Sequence, residues 1–389
     1  MTVAYNPLWI YNLRVVKETK RWLRHHIISA QQFENIQSEY HSSLYHPNFV
    51  IRILLFIATV LALLGVTGLL VLMMDTSNET ALAVGATIYG VASIFVLEGF
   101  FLKSHHHFKS GVTEALLYFA IGFFLAGVAG LFDGNLHVIL LVSLVVFATA
   151  AIRYLDLVCT VFAIASLCSL LFYSFYQMNG IVKSVIPFII ILTFLPLYLI
   201  TKKLKSKSEL LLWSDNLLVL ESISLLLVYA GGNYFVVREL SNSMMNLYLE
   251  EGQDIPFAYL FYILTAVTPV IYLYRSLKTK DKVLIRISLL LVALSAFTFK
   301  YYFSFGHPEI TLTIAGVVVL TVTLLLLNYL KVMRYGYTRE NLLSEKWGDM
   351  NIEAFLISQT VGGNQVGDVQ QHVEGGGGEF GGGGSSDSF

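Results

Sequence analysis

The chain has 389 residues, of which 56% are hydrophobic and only 13% are charged. A soluble globular protein carries about 25% charged residues. The composition therefore argues against an ordinary soluble domain and favours a chain embedded in a bilayer, where each crossing helix needs about 20 apolar residues. The formal net charge of -1 leaves no excess of basic residues for nucleic-acid binding.

Residues 1–49 are polar and predict a cytoplasmic helical hairpin. Apolar residues recur near helical spacing in a Lys- and Arg-rich stretch: Trp9, Leu13, Val16, Leu23 and Ile27. This basic helix either contacts anionic lipid headgroups or packs against the cytoplasmic ends of the spans. Ser29 with Gln32 three residues later predicts a capping box and a second helix. A cleaved signal peptide would place an apolar run within roughly the first 30 residues, so we expect the first span to be an uncleaved anchor.

Residues 50–330 predict a transmembrane helix bundle. Ten apolar runs of spanning length can be read in order: Val50–Met74, Ala81–Leu102, Gly111–Phe132, Leu136–Ile152, Leu155–Tyr176, Ile181–Ile200, Leu210–Val237, Phe257–Tyr274, Val283–Phe299 and Ile310–Leu330. Only Arg153 and Tyr154 separate the fourth run from the fifth. If those two runs form one broken element, the count falls to nine.

The distribution of charge predicts the orientation of the bundle. With ten alternating spans, nearly all of the 25 Lys and Arg residues fall on the side of the N-terminus. The opposite loops hold only Lys183, Arg238 and Lys300 and are otherwise acidic. Because basic loops stay in the cytoplasm, the sequence predicts an all-α polytopic bundle of about ten spans with both termini inside.

The sequence after the last run predicts a cytoplasmic tail in two parts. Residues 331–360 are polar, with a short helix expected around Asn351–Ser358. Residues 361–389 are rich in Gly, Gln and Ser, and such a segment buries too little apolar surface to order itself. Its glycines do not indicate a phosphate-binding loop, because no strand precedes them and no helix follows.

Glu221 is the clearest candidate for a functional residue, because ionisable groups inside spans are costly. It lies near the middle of the seventh run, and Ser214, Ser224 and Gly231 share its predicted helix face. This stripe places a carboxylate against a water-filled cavity, a cation or a proton path. The alternative is a neutral Glu that is hydrogen-bonded to a neighbouring helix.

Two further carboxylates lie near the ends of spans. Glu114, at the start of the third run, is a second candidate for substrate or ion binding, or a side chain that reaches the membrane interface, as Glu98 is expected to do. Gly122, Ala126 and Gly130 follow Glu114 at four-residue spacing and predict a close-packing seam.

Other features have both structural and functional interpretations. Arg153 and Asp156 are expected to form a local ion pair. The prolines in the sixth and eighth runs, Pro187, Pro196 and Pro269, either break helices beside a binding site or belong to ordinary spans. His105, His106 and His107 predict an exposed loop cluster, with a metal or pH-sensing role as the alternative. We find no catalytic motif, and we expect no metal site and no cofactor.

Both ends of the chain resemble a family of bacterial multi-pass inner-membrane proteins of unknown function. At the start, Ile27-Ile-Ser-Ala-Gln-Gln-Phe-Glu-Asn-Ile and His46-Pro precede the first span. Towards the end, the chain has His307-Pro-Glu-Ile-Thr-Leu-Thr-Ile-Ala-Gly, then Asn351-Ile-Glu-Ala-Phe-Leu-Ile-Ser-Gln-Thr and a Gly-rich close. The resemblance implies a bacterial cytoplasmic membrane and brings no activity or site residue.

Three hypotheses for function follow. The first is a permease for a small solute or ion, which needs a polar cavity near the midplane and uses Glu221. The second is a non-catalytic scaffold or sensor that recruits an unidentified cytoplasmic partner. The third is an enzyme acting on a lipid-like substrate, which needs polar groups gathered at one interface. The sequence favours the first two over an enzyme.

Overall fold

A computed structural model describes residues 3–73, 77–178, 182–245 and 254–302, together with scattered positions between 313 and 331. Within these residues the fold is all-α, and the one β-bridge joins Tyr45 to His107. Twelve α-helices are present in the described ranges: α1 Pro7–Arg24, α2 Ala30–Glu39, α3 Phe49–Met73, α4 Glu79–Val96, α5 Val112–Leu131, α6 Leu136–Tyr154, α7 Leu157–Tyr176, α8 Val182–Lys205, α9 Ser214–Gly232, α10 Tyr234–Met245, α11 Ala258–Thr279 and α12 Lys282–Tyr302. A π-helix, Leu97–Ser104, extends α4, and a 3₁₀ helix, Ser208–Trp213, precedes α9.

The predicted all-helical membrane bundle is confirmed. The described ranges contain 9 helices long and apolar enough to cross a membrane, and each of the first nine predicted runs overlaps one of them. The tenth run lies largely outside the described residues, and the predicted tail helix and Gly-rich segment lie wholly outside them.

The predicted pair of N-terminal helices is also confirmed. Ser29 Oγ accepts from the Gln32 backbone N–H while the Gln32 side chain accepts from the Ser29 backbone N–H, which completes the capping box. At the start of α1, Asn6 accepts from Leu8 N–H, and Pro7 occupies the first turn, where its missing N–H costs nothing.

The N-terminal segment packs on one end of the bundle. The Ala4 N–H donates to the Arg153 carbonyl at 2.9 Å, and Arg14 donates to the carbonyls of Leu211 and Leu212. Ile10 is 1% exposed in the hydrophobic cluster there. The α6–α7 junction and the 3₁₀ helix therefore lie at the same end as the N-terminus, as the alternation of spans requires.

The close-packing seam of α5 includes only part of the predicted one. A Cβ added to Gly127 would lie 2.6 Å from the Ala83 carbonyl oxygen, and one added to Gly90 would lie 2.7 Å from the Ala120 carbonyl oxygen. A Cβ added to Gly130 would lie 2.7 Å from the Ala83 Cβ, whereas one added to Gly122 would meet nothing within 4 Å. The prediction of a Gly122–Ala126–Gly130 ladder is therefore confirmed for Gly130 and wrong for Gly122, because the crossing with α4 selects the face of Gly127 and Gly130.

The junction between the fourth and fifth runs separates two helices. Leu155 adopts a left-handed conformation with φ 54° and ends α6. Asp156 then caps α7 by accepting from the Cys159 N–H at 2.7 Å. The predicted ion pair between Arg153 and Asp156 is wrong, since Asp156 serves the cap and the Tyr118 hydroxyl, while Arg153 pairs with Glu98.

The seventh predicted run is two helices rather than one. The first, α9, ends at Gly232. Asn233 has an extended backbone with φ -83° and ψ 123°, and α10 begins at Tyr234. In contrast, α8 and α11 continue through their prolines, so of the two alternatives the ordinary spans are confirmed and the broken helices are not. A bundle tolerates a proline when neighbouring groups satisfy the freed carbonyl.

Candidate functional site

The candidate site is built around α9, which packs against α7, α8, α11 and α12. Because four spans surround α9, its side chains are buried on several faces, and the polar ones must find partners inside the protein. The contact with α8 is close, since a Cβ on Gly231 would lie 2.9 Å from the Pro187 carbonyl oxygen. This close contact fixes the position of α9, and of the polar side chains on it, relative to α8.

Glu221 lies in the middle of α9 and is fully buried. Its Oε2 accepts from Lys205 Nζ at 2.6 Å, and the Lys205 side chain is 30% exposed at the end of α8. The prediction of a neutral Glu bonded to a neighbouring helix thus has the right location, but the partner is a lysine. Lys205 thus contacts the buried carboxylate and is itself partly exposed at the protein surface.

Two buried oxygen atoms at this site, one of them in the Glu221 carboxylate itself, have no hydrogen-bond partner in the described structure. One is Glu221 Oε1, and the other is the hydroxyl of Ser224, one helical turn further on. Ser224 is 0% exposed. Unpartnered buried polar atoms are costly, so this pair of positions is suited to a bound water or another polar group.

A hydrogen-bonded cluster occupies the other end of α9. Asn233 Nδ2 donates to the Tyr229 hydroxyl at 2.8 Å and to Thr298 Oγ1 at 3.1 Å. The neighbouring Tyr234 N–H donates to Thr265 Oγ1 at 2.9 Å. Asn233 therefore binds the interrupted end of α9 to α12, and the next residue binds it to α11.

The cluster continues to the rim of the bundle. The Tyr234 hydroxyl donates to Asp254 Oδ1 at 2.6 Å and accepts from Arg238 at 2.5 Å. The Arg238 guanidinium also lies 5.0 Å from the ring centre of Tyr302. Arginine over aromatic rings is a stable arrangement where water is scarce.

We call the set Lys205, Glu221, Ser224, Tyr229, Asn233 and Tyr234 the polar column. Its largest interval is from Ser224 to Tyr229, about 7.5 Å along the axis at 1.5 Å per residue. Carboxyl, hydroxyl and amide groups accept and donate protons or hydrogen bonds. Residues 225–228, which fill this interval, are all apolar, so the column consists of two polar groups on either side of an apolar stretch of α9.

The structure brings together only part of the predicted site. Glu221 and Ser224 lie side by side, whereas Ser214 is at the start of α9, where its Oγ accepts from Arg14 at 3.2 Å. Glu114 is on α5 and belongs to a separate cluster. Its Oε1 accepts from Arg52 at 2.5 Å, and its Oε2 accepts from the Gly111 N–H and from Thr113 Oγ1, each at 2.8 Å.

Sequence reasoning missed several members of the column. The sequence places Lys205 among the charges of a cytoplasmic loop, and it gives no sign that Tyr229, Asn233 and Tyr234 differ from ordinary residues of spans. One signal was present for Lys205. Two antiparallel helices joined by a short connection place residues on either side of the turn together, which points from Glu221 back to Lys205.

The loop before α5 adds a second polar region at the end that carries the N-terminus. Burial lowers the pKa of the Lys109 ammonium and of the His107 imidazole. Of the three adjacent histidines, His105 is exposed, as predicted, while His106 and His107 are half-buried. Among the described residues, no group of three or more His, Cys, Asp or Glu side chains is placed to hold a metal ion.

Comparisons with protein-family models, curated proteins and solved structures give no match to this chain.

Proposed function

We propose that this chain is a multi-pass membrane permease for a small solute or ion, in which protons move along the polar column and Glu221 is the proton-binding group. The observation that supports it is the fully buried Glu221 carboxylate, which is paired with the partly exposed Lys205 and keeps one unpartnered oxygen. Ionisable groups inside spans mark proton relays and ion paths in many membrane proteins.

The energetics of the pair support a functional role. Replacing a buried ion pair by apolar residues of similar volume is often neutral, or stabilising by about 1–4 kcal/mol. Four surrounding spans offer α9 apolar contacts at the position of Glu221, so packing alone does not require a carboxylate there. A function that needs charge or a proton accounts for it.

The proposed proton step is simple. A proton leaves Lys205 Nζ and forms an O–H bond with Glu221 Oε2, across the 2.6 Å hydrogen bond. The products are a neutral amine and a neutral carboxylic acid, so no net charge enters the apolar region. Lys205 regains a proton from water through its exposed part, and Glu221 passes its proton towards Ser224.

We place the chain in the cytoplasmic membrane of a bacterium, with both termini in the cytoplasm and Lys205 on that side. The basic loops on the side of the N-terminus support this orientation. Membrane embedding itself follows from the nine apolar helices of the described part.

The test is a proton-flux assay in sealed proteoliposomes that contain a pH-sensitive dye, run with and without an inward gradient of candidate solutes. We expect the parent protein to conduct protons and Glu221→Gln to lose the flux. The matched control is Glu114→Gln, which removes another buried carboxylate with a cationic partner, outside the column, and should keep the flux. If the parent does not conduct, or if both variants lose flux equally, the proposal is refuted.

A second candidate, a non-catalytic scaffold or sensor, is supported by the N-terminal hairpin. No residue of α2 is buried, and α1 exposes Leu8 at 62% and Trp22 at 39% beside exposed Lys17 and Lys20. Such a surface suits a protein partner or anionic headgroups. Flotation with vesicles rich in anionic lipid, comparing the parent with Lys17→Ser/Lys20→Ser, measures the headgroup contact.

A further inference from the structure

A cleft of about 390 Å³ opens on the flank of the bundle between α4, α5 and α6. Its walls are mostly apolar, and its rim includes Phe95, which is 73% exposed. Exposed apolar side chains such as Ile88 and Val145 continue this flank on α4 and α6. Because these helices are membrane spans, the flank faces acyl chains. The volume lies at the lower end of the range of about 300–1,000 Å³ typical of small-molecule sites.

One end of the cleft is polar. Glu98, Arg153 and Tyr154 line it, at the end of the bundle that carries the N-terminus. Arg153 donates to both carboxylate oxygens of Glu98, at 2.6 and 2.7 Å, and the Tyr154 hydroxyl donates to Glu98 at 2.7 Å. The side chains of Arg153 and Glu98 remain 40% and 24% exposed.

The backbone at this end is unusual. Glu98 lies in the π-helix Leu97–Ser104, which interrupts the regular turns of the span. π-Helical segments are rare, and they often occur at functional sites because they turn side chains to positions that an α-helix does not reach. Here the π-helix holds Glu98 beside Arg153, at the mouth of an apolar cleft.

We propose that this cleft binds a zwitterionic aminophospholipid of the surrounding bilayer, with one acyl chain in the cleft, the phosphate at Arg153 and the ammonium at Glu98. The apolar walls fit the chain, and the polar end lies at headgroup depth. The occupant is a lipid rather than a soluble ligand because the cleft opens sideways towards the acyl region.

Charge complementarity selects the headgroup. The Glu98–Arg153 pair is neutral overall, so it does not favour an anionic lipid over a zwitterionic one. A carboxylate has about four lone-pair sites, and three of those on Glu98 accept from Arg153 and Tyr154. The remaining site suits the N–H of a primary ammonium, which a quaternary choline headgroup lacks.

The experiment is native mass spectrometry of the full-length protein in detergent, titrated with phosphatidylethanolamine, phosphatidylcholine or phosphatidylglycerol. We expect one phosphatidylethanolamine to stay bound at concentrations where the other two lipids do not. Thr149→Trp fills the cleft and should lose this one-lipid peak. Leu141→Trp places the same ring on α6 outside the cleft, where Leu141 is 54% exposed, and should keep it.

A second variant tests the headgroup without filling the cleft. Glu98→Gln leaves the charge of Arg153 unbalanced, so the preference should move from phosphatidylethanolamine to phosphatidylglycerol. Equal retention of all three lipids by the parent, equal peaks in Thr149→Trp and Leu141→Trp, or an unchanged preference in Glu98→Gln would each overturn the proposal. None of these outcomes depends on proton flux.

Discussion

The two members of the Glu221–Lys205 pair should differ sharply in what their loss costs. Lys205→Met leaves the Glu221 carboxylate fully buried without its cation. Breaking a buried pair in this way costs about 3–5 kcal/mol. Glu221→Gln leaves Lys205, whose side chain is already 30% exposed and can extend to water. We expect this change to cost about 1 kcal/mol, the usual net worth of one hydrogen bond.

The measurement is the free energy of unfolding in mixed micelles of mild detergent and SDS, for the parent, the two single variants and the double variant. The double variant should cost less than Lys205→Met alone, because it leaves a neutral amide rather than an uncompensated charge at the buried position. Lys207→Met changes an exposed lysine of the next loop and serves as control. If Lys205→Met costs no more than Glu221→Gln, the buried carboxylate does not depend on its lysine and the reasoning is wrong.

Three further predictions follow from other parts of the fold. Gly90→Ala places a Cβ against backbone of α5 and should destabilise by about 1–3 kcal/mol, whereas Gly122→Ala meets open space and should be neutral or stabilising in the same unfolding assay. Burial, with a smaller contribution from nearby cations, lowers the pKa of His46, whose Nδ1 bonds to the Phe108 carbonyl. Its stabilising contribution is therefore full above about pH 6.5 and lost as the pH falls through the lowered value, so His46→Gln should flatten the loss of stability between about pH 7 and pH 5. Arg14→Met removes the bonds to the 3₁₀ helix and should increase hydrogen exchange in α1 while leaving exchange in α3 unchanged.

The spans were predictable because hydrophobic length is a local property of the sequence. The first nine runs became helices, and the capping box at Ser29 needed only neighbouring residues. Failures arose where position depends on the fold. Arg153 and Asp156 are three residues apart, yet the left-handed Leu155 between them ends one helix and lets Asp156 cap the next.

The sequence could not predict which side chains pair with each other across helices. Glu98 and Arg153 each lie near the end of a span, where a charge normally reaches the interface by itself. Their pairing depends on the π-helix that turns Glu98 and on the packing of α6. In the same way, Asn233 looked like one residue inside a long apolar run, and only the fold shows that the helix stops there.

The depth of Glu221 distinguishes its ion pair from the others at the same end of the bundle. In the described residues, Arg14–Asp215, Arg52–Glu114 and Arg153–Glu98 join elements at or near helix ends, where water and headgroups reduce the cost of a charge. Glu221 lies seven residues into α9, about 10 Å along the axis from its start at 1.5 Å per residue. The proximity of the interface explains the first three pairs but not this one. A carboxylate at that depth, with an unpartnered oxygen near an unpartnered Ser224 hydroxyl, therefore supports the proposed function more directly than the interfacial pairs do.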